Sequence, residues 1–237
     1  MSSDKRIAEA VGLSKFEGAY LRRRYAILFY SLLFTMAAGP LSEALGFGSN
    51  LLELLLAASL LAAVNPIDNR HGRRFLLGVL VAALALRFGA AWLNHPAISS
   101  AGLAIWTIVA LLAAIFALRF SLRARAVTNE HLYAALSAYV LAGIFCGVFY
   151  WILERAWPGS LGIAGEGVEV DFPLMSAIYF SFVTLATLGY GDIVPRSEAA
   201  RGLAMVEAVV GQLYLAVMVA RLVSLYVTKV GEGKQLD

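Results

Sequence analysis

The sequence contains one cysteine and few charged residues. Cys146 is its single cysteine, so no disulfide bond can form within the chain. Charged residues make up 15% of the 237 residues, whereas a soluble domain has about 25%. The polar first 24 residues lack the apolar stretch of a cleavable signal peptide, so we expect none. Because 60% of the residues are hydrophobic and the charges cluster between long apolar runs, the sequence predicts a membrane protein.

Sequence patterns of catalysis are also absent. There is no nucleotide-binding loop, no catalytic triad and no cluster of metal ligands, so we expect no enzyme activity and no cofactor. The net charge of +3 does not indicate nucleic-acid binding, because the basic residues lie at the ends of apolar segments and form no groove. We expect contact with membrane lipids, and nothing in the sequence implies a soluble partner.

Six apolar segments are candidates to cross a bilayer, each needing about 20 residues. They cover residues 25–45, 51–64, 75–93, 101–120, 134–157 and 197–227. The second is the shortest and crosses only if it extends over residues 47–67. The predicted fold class is therefore an all-α membrane protein with six transmembrane helices.

Lysine and arginine residues indicate the orientation, because they are retained on the cytoplasmic side during insertion. They lie before the first span, between the second and third, between the fourth and fifth, and after the sixth: Lys5, Arg6, Lys15, Arg22, Arg23, Arg24, Arg70, Arg73, Arg74, Arg119, Arg123, Arg125, Lys229 and Lys234. The alternate loops, residues 46–50 and 94–100, contain none. We expect a multi-pass protein of the cell membrane, plasma or bacterial inner membrane, with both termini cytoplasmic.

Between the fifth and sixth spans, the sequence predicts a segment that enters the membrane and turns back. Residues 159–171 are rich in glycine and acidic residues, which is typical of an exposed loop. Asp171 and Pro173 then give a helix start signal before an apolar stretch, residues 173–186, that is too short to span. Non-helical backbone at membrane depth is stable only where it is buried in protein or lines water, so we expect a cavity there.

The residues after this short helix carry the chemistry. Residues 184–195 read TLATLGYGDIVP, which resembles the selectivity filter of potassium channels. In that family, rings of backbone carbonyls from four chains replace the hydration shell of the ion. The resemblance implies K+ as the permeant ligand and no other metal. The ion-binding residues it implies are Thr187, Leu188, Gly189, Tyr190 and Gly191, with Asp192 at the outer mouth.

The residue types of the motif suit this role. Consecutive carbonyls that point the same way require dihedral angles of alternating hand, and Gly189 and Gly191 adopt positive φ at low cost. We expect Tyr190 to face away from the ion and to brace the strand against Tyr179 and Phe180. The C-terminus of the short helix directs its negative dipole end toward the inner cavity, which favours a cation. The expected assembly is a four-fold symmetric homotetramer that conducts passively.

This interpretation divides the chain into five parts. They are a cytoplasmic N-terminal segment (1–24), a four-helix peripheral transmembrane domain (25–120), a linker (121–130), a pore domain (131–229) and a short cytoplasmic tail (230–237). The resemblance covers about residues 134–227, and the first four spans share only their number with the family.

The fourth span lacks the charges of a voltage sensor. Gating by voltage takes about 3–4 charges per subunit moving through the field. Residues 101–118 hold none, and Arg119, Arg123 and Arg125 lie at the cytoplasmic end. We therefore expect a channel that is not strongly voltage-gated.

The sixth span contains a candidate hinge and gate. Gly211 falls where the inner helix of the family often has a hinge glycine, although a close-packing site explains a membrane glycine equally well. Leu215, Val219 and Val223 follow at helical spacing and would line the lower pore, and an ordinary packing stripe has the same spacing.

Four of the charged residues inside the spans are candidates for a specific role. Glu43, Glu53 and Arg87 fall in the outer third of the first three, and since membrane charges are normally paired we expect a static bridge, with sensing as the alternative. Glu207, in the sixth span, is expected to hydrogen-bond the short helix through Ser181 or Thr184 and to tune filter stability. A carboxyl group that neighbours satisfy, without effect on gating, is the alternative.

Two functions compete with a potassium-selective channel. A potassium transporter uses filter-like loops, but such folds need internal repeats, and the sequence has one such loop. An accessory subunit that supports another channel is favoured only by the first four spans.

Overall fold

The computed structural model describes residues 23–44, 55, 58, 59, 78, 81, 82, 85, 108, 111–122, 128–163, 165 and 172–233. Five helices have described bounds: α1 (Arg24–Ala44), α2 (Leu111–Leu122), α3 (Asn129–Ala156), α4 (Leu174–Leu185) and α5 (Glu198–Gly233). Two short strands, β1 (Leu161–Ile163) and β2 (Ile193–Pro195), lie on either side of α4 in sequence.

Three of the described helices are long and apolar enough to cross a membrane, namely α1, α3 and α5. They correspond to the first, fifth and sixth spans that the sequence predicts. The helices α2 and α4 are shorter apolar helices, and α2 corresponds to the end of the fourth span. Most of the second and third spans, and the start of the fourth, lie outside the described residues.

The helices α1 and α3 are joined at one end by a charged cap. The carboxylate of Glu130, in the first turn of α3, accepts a hydrogen bond of 2.9 Å from the backbone N–H of Tyr25 at the start of α1. A carboxylate at a helix N-terminus is stabilising because four N–H groups there have no partner within the helix. Along the same interface, Leu28 and Leu32 of α1 lie in one buried cluster with Leu141 of α3.

Hydroxyl groups link α1 to the second predicted span. The Thr35 and Ser59 hydroxyl oxygens are 2.8 Å apart and buried. The static bridge of Glu43, Glu53 and Arg87 that the sequence predicts falls outside the described residues, apart from the backbone of Glu43 in α1. The polar contact described between the first and second predicted spans is therefore this pair of hydroxyl groups, which the sequence did not predict.

Glycines in α3 allow α4 to approach closely. A Cβ atom at Gly147 would lie 2.6 Å from the Cα atom of Ile178, and one at Gly143 would lie 2.7 Å from the ring of Phe182. Real Cβ contacts are longer than this, so a larger residue would push α4 away from α3. The two glycines therefore set the distance between the helix before the motif and its main support.

The loop between α3 and α4 differs from the sequence-based expectation. Residues 161–163 pair antiparallel with residues 193–195, with Leu161 opposite Pro195. Ser160 and Leu161 are buried, so the expected exposed loop is wrong at this end, and the all-α prediction omits this two-stranded sheet. The physical reason is that the buried carboxylate of Glu154 accepts bonds of 2.7 Å from the N–H groups of Gly159 and Leu161, which fixes the chain for pairing.

The helix α5 starts directly after this sheet. The Ser197 hydroxyl accepts a bond of 3.2 Å from the N–H of Ala200, as an N-cap residue does. The helix then continues to Gly233, into the segment 230–237 expected as a tail. Residues 1–22, 123–127 and 234–237, which include most of the expected N-terminal segment and part of the linker, lie outside the described residues.

Candidate functional site

The motif residues 187–192 begin where α4 ends. Pro173 precedes α4 with extended backbone, and because proline has no N–H, it leaves no donor unpaired at the helix start. At the other end, the N–H of Ala186 bonds the carbonyl of Phe182 at 2.9 Å, after which the chain leaves the helix. The site is therefore built on the C-terminal end of a short apolar helix.

Three consecutive N–H groups of the motif turn back toward α4. Thr187 N–H donates to the carbonyl of Thr184 at 3.0 Å, and the N–H groups of Leu188 and Gly189 both donate to the carbonyl of Val183, at 2.9 and 3.4 Å. In a planar trans peptide the carbonyl points opposite to the N–H of the next residue. The carbonyls of Ala186, Thr187 and Leu188 therefore point away from α4.

The backbone of the motif alternates in hand. The φ angles are 58° at Thr187, 58° at Gly189 and 80° at Gly191, whereas Leu188 and Tyr190 are not among the residues with positive φ. This alternation brings successive peptide planes to face the same side, so that their carbonyl oxygens form a row. A positive φ at β-branched Thr187 costs roughly 1–3 kcal/mol, and no feature of the side chain in the sequence signals it.

The last turn of α4 is anchored by two other helices. The carbonyl of Leu185 accepts hydrogen bonds of 3.3 Å from the Tyr139 hydroxyl of α3 and from the Gln212 amide of α5. A Cβ atom at Gly211 would lie 2.6 Å from the Leu185 side chain and 3.2 Å from its carbonyl oxygen. Gly211 is thus a point of close approach between α5 and α4, and the hinge role stays a prediction.

The candidate gate residues differ in their surroundings. Leu215 is half-buried, whereas Val219 and Val223 are exposed in the single chain. Their neighbour Met218 is buried. The lower part of α5 therefore offers an apolar face to a partner, to lipid or to a pore, and the gate assignment stays a prediction.

Tyr179 of α4 contacts the outer end of the motif. Its hydroxyl donates a bond of 2.7 Å to the Asp192 carboxylate, which also accepts from the N–H of Ile193 at 3.0 Å. The Tyr179 hydrogen bond holds the pKa of Asp192 below its ordinary value. Within the chain, Tyr179 therefore braces Asp192 and the ring partner of Phe180 is Tyr150, while the bracing role of Tyr190 stays a prediction.

Glu207 joins three helices behind the motif. It is 4% exposed, and its carboxyl group accepts a bond of 2.8 Å from the Tyr150 hydroxyl of α3. Its other oxygen is in hydrogen-bond contact with the Ser181 hydroxyl of α4. Ser181 was one of two partners considered from sequence, but Tyr150 was missed because it is 57 residues away and no local spacing connects the two.

The same segment matches a known family. Residues 137–228 match the model of a family described as ion channel. The match begins within α3 and ends within α5, so it contains α4, the motif and Glu207. It covers less than half of the chain.

Plant proteins are among the curated relatives. Two pore potassium channel c of Oryza sativa subsp. japonica is 31% identical over 94 residues, 40% of this chain and 18% of that protein. Two-pore potassium channel 4 of Arabidopsis thaliana is 40% identical over 72 residues, 30% of this chain and 25% of that protein. The chain therefore spans about a fifth to a quarter of the length of these relatives. No solved structure matches the chain significantly.

We expect the substitution Tyr179→Phe to raise the pKa of Asp192. The hydrogen bond favours the ionised carboxylate. Its contribution to folding stability is therefore fully present above the ordinary aspartate pKa of about 3.9, and it is lost as the pH falls through the lower pKa of the folded state. Without the hydroxyl, the pKa of Asp192 should rise toward the ordinary aspartate value. The measurement is an NMR titration of labelled aspartate carboxyl groups. Tyr190→Phe is the control, and an equal shift in both variants would contradict the assignment.

Proposed function

We propose that this chain is one subunit of a potassium-selective channel in which four copies enclose one pore. The observation that carries the proposal is the backbone of residues 187–191, with alternating φ and with three N–H groups turned back to α4. A potassium ion leaves water only where oxygens replace its hydration shell, and a row of carbonyls from each of several chains supplies them.

A single chain supplies only one side of such a site. In the isolated chain the side chains of Leu188 and Tyr190 are 55% and 66% exposed, although both are large and lie at a motif that is expected within the membrane. Neighbouring copies would cover them and close the ring of carbonyls. Because the exposed side chains and the open ring both need further copies of the chain, the structure supports an assembly over a monomer.

Charge at the two ends of the motif suits a cation. Asp192 lies at one end and carries a negative charge at physiological pH, and the Tyr179 hydroxyl lowers its pKa further below the ordinary value. At the other end, the C-terminus of α4 directs the negative end of its dipole toward the inner side of the motif. Both favour a permeant cation over an anion.

The comparisons support potassium as the ion. The relatives are named potassium channels, and the segment that matches the ion channel family, residues 137–228, contains the motif. Their names describe two pores, whereas the present 237 residues contain the TLGYGD sequence once. We therefore infer four copies per pore, in a cell membrane, with both termini on the cytoplasmic side as the lysines and arginines predict.

We expect liposomes that contain the purified protein to take up rubidium down its gradient, to exclude sodium largely and to be blocked by barium. The reason is that carbonyl rings of fixed spacing replace the hydration shell of K+ and of Rb+ but not of Na+. Gly189→Ala should lower the ratio of rubidium to sodium flux by about tenfold, because a Cβ at positive φ costs about 1–2 kcal/mol.

Gly202→Ala is the matched control, since among the described residues no atom outside the adjacent turns of α5 lies within 4 Å of a Cβ at this position. Equal sodium and rubidium fluxes in the parent protein would contradict potassium selectivity.

We expect the purified assembly to have four times the mass of the chain. One motif per chain contributes one of the four sides of a pore, so fewer copies leave the ring open. Native mass spectrometry in detergent measures this directly. A complex that forms only with another channel protein would favour the accessory-subunit alternative, and an active monomer would favour a transporter.

We expect only weak voltage dependence of the current. The described helix α2 carries one charged residue, Arg119, near its C-terminal end, whereas steep gating needs about 3–4 moving charges per subunit. Current–voltage recordings in planar bilayers test this. A steep activation curve that disappears when Arg119, Arg123 and Arg125 are replaced by glutamine would contradict the assignment.

A further inference from the structure

The contacts around Glu207 form a chain of hydrogen bonds across α3, α4 and α5. The Tyr150 hydroxyl is 2.8 Å from one carboxyl oxygen of Glu207, and the Ser181 hydroxyl is in contact with the other. The same Ser181 hydroxyl oxygen is 2.7 Å from the backbone carbonyl of Gly143. Ser181 therefore sits between two oxygens, one from α5 and one from α3.

Counting protons decides which state of Glu207 fits these contacts. A serine hydroxyl has one proton to donate, and a carbonyl oxygen only accepts. An ionised carboxylate also only accepts, so it would compete with the Gly143 carbonyl for the single proton of Ser181. If Glu207 is protonated, it donates to Ser181, Ser181 donates to Gly143, and Tyr150 donates to Glu207. Three protons then satisfy these three contacts, and the Cys146 thiol of α3 donates a further hydrogen bond to Glu207.

The groups that face the Glu207 carboxyl are neutral. Three helices contribute these groups: Tyr139, Cys146 and Tyr150 lie on α3, Ser181 on α4 and Tyr214 on α5. From α2, only apolar residues line the cavity of about 210 Å³ that Glu207 adjoins. Among the described side chains that face it, none is a cation, and an unpaired carboxylate inside a membrane costs several kcal/mol.

We propose that Glu207 is a positioning residue that acts as a neutral acid. It donates a hydrogen bond to Ser181 and thereby holds α4 in place between α3 and α5. The effect on conduction rests on the proposed channel function, whereas the hydrogen bonds of Glu207 do not depend on it. Loss of the proton leaves Ser181 between two acceptors and an unpaired charge in the helix interface. Either effect loosens α4 where it supports the motif.

The path from Glu207 to the motif is short. Ser181 precedes Val183 by two residues, and the Val183 carbonyl accepts the N–H groups of both Leu188 and Gly189. A shift of α4 at Ser181 therefore moves the acceptor that orients two motif peptides. Alkaline conditions that remove the proton should reduce conduction by changing the position of these carbonyls.

Infrared spectroscopy of the purified wild-type protein at neutral pH tests the protonation state. We expect a carbonyl stretch of a protonated carboxylic acid that disappears in Glu207→Gln and persists in Glu198→Gln, a control at an exposed acid of the same helix. Ser181→Ala should shift the band, because Glu207 loses its acceptor. Absence of a band that depends on Glu207 would overturn the proposal, whatever the conduction measurements give.

Rubidium flux as a function of pH tests the positioning role. The amide of Glu207→Gln can donate to Ser181 and accept from Tyr150 but does not titrate. We expect Glu207→Ala to reduce flux, and Glu207→Gln to restore it and to abolish the alkaline decline of the wild type. An alkaline decline that is unchanged in Glu207→Gln would overturn this role. If the infrared band is present but flux is unselective, the proposed channel function fails while the neutral acid stands.

Discussion

Backbone that leaves a helix within a membrane must find partners for its N–H and C=O groups, and this constraint organises the described structure. The N–H groups of Thr187, Leu188 and Gly189 find theirs in the last turns of α4, at Thr184 and Val183. Because these N–H groups bond on one side, the carbonyls lie on the other side, where they are open to water or to a cation. The same hydrogen bonds that stabilise the chain therefore also create the candidate ion site.

Because the motif takes its conformation from α4, the position of α4 has to be fixed. Gly143 and Gly147 let it lie directly on α3, and Tyr139 and Gln212 hold the carbonyl of Leu185 at its end. Its outer end is held through Tyr179 and Asp192. These contacts offset the strain of positive φ at Thr187, which a free segment of this sequence would avoid.

The peripheral helices have a different part in this arrangement. The helix α1 joins α3 through the Glu130 cap and a shared apolar cluster that also includes residues of α2. None of these contacts reaches residues 187–192 directly within the described part of the chain. They stabilise α3, and α3 in turn supports α4, so their influence on the motif is transmitted through helix packing.

The sequence by itself determined the helices and the chemistry of the motif, because both depend on neighbouring residues. The lengths of the apolar runs predict α1, α3 and α5, and Gly189 and Gly191 allow the positive φ angles that the backbone adopts. The tertiary structure alone decided the contacts of Tyr150 with Glu207, of Tyr139 with Leu185, and the pairing of residues 161–163 with 193–195. These partners are 57, 46 and about 30 residues apart. Hydrogen bonds over such distances form only when packing brings separate helices or strands together, which no local pattern encodes.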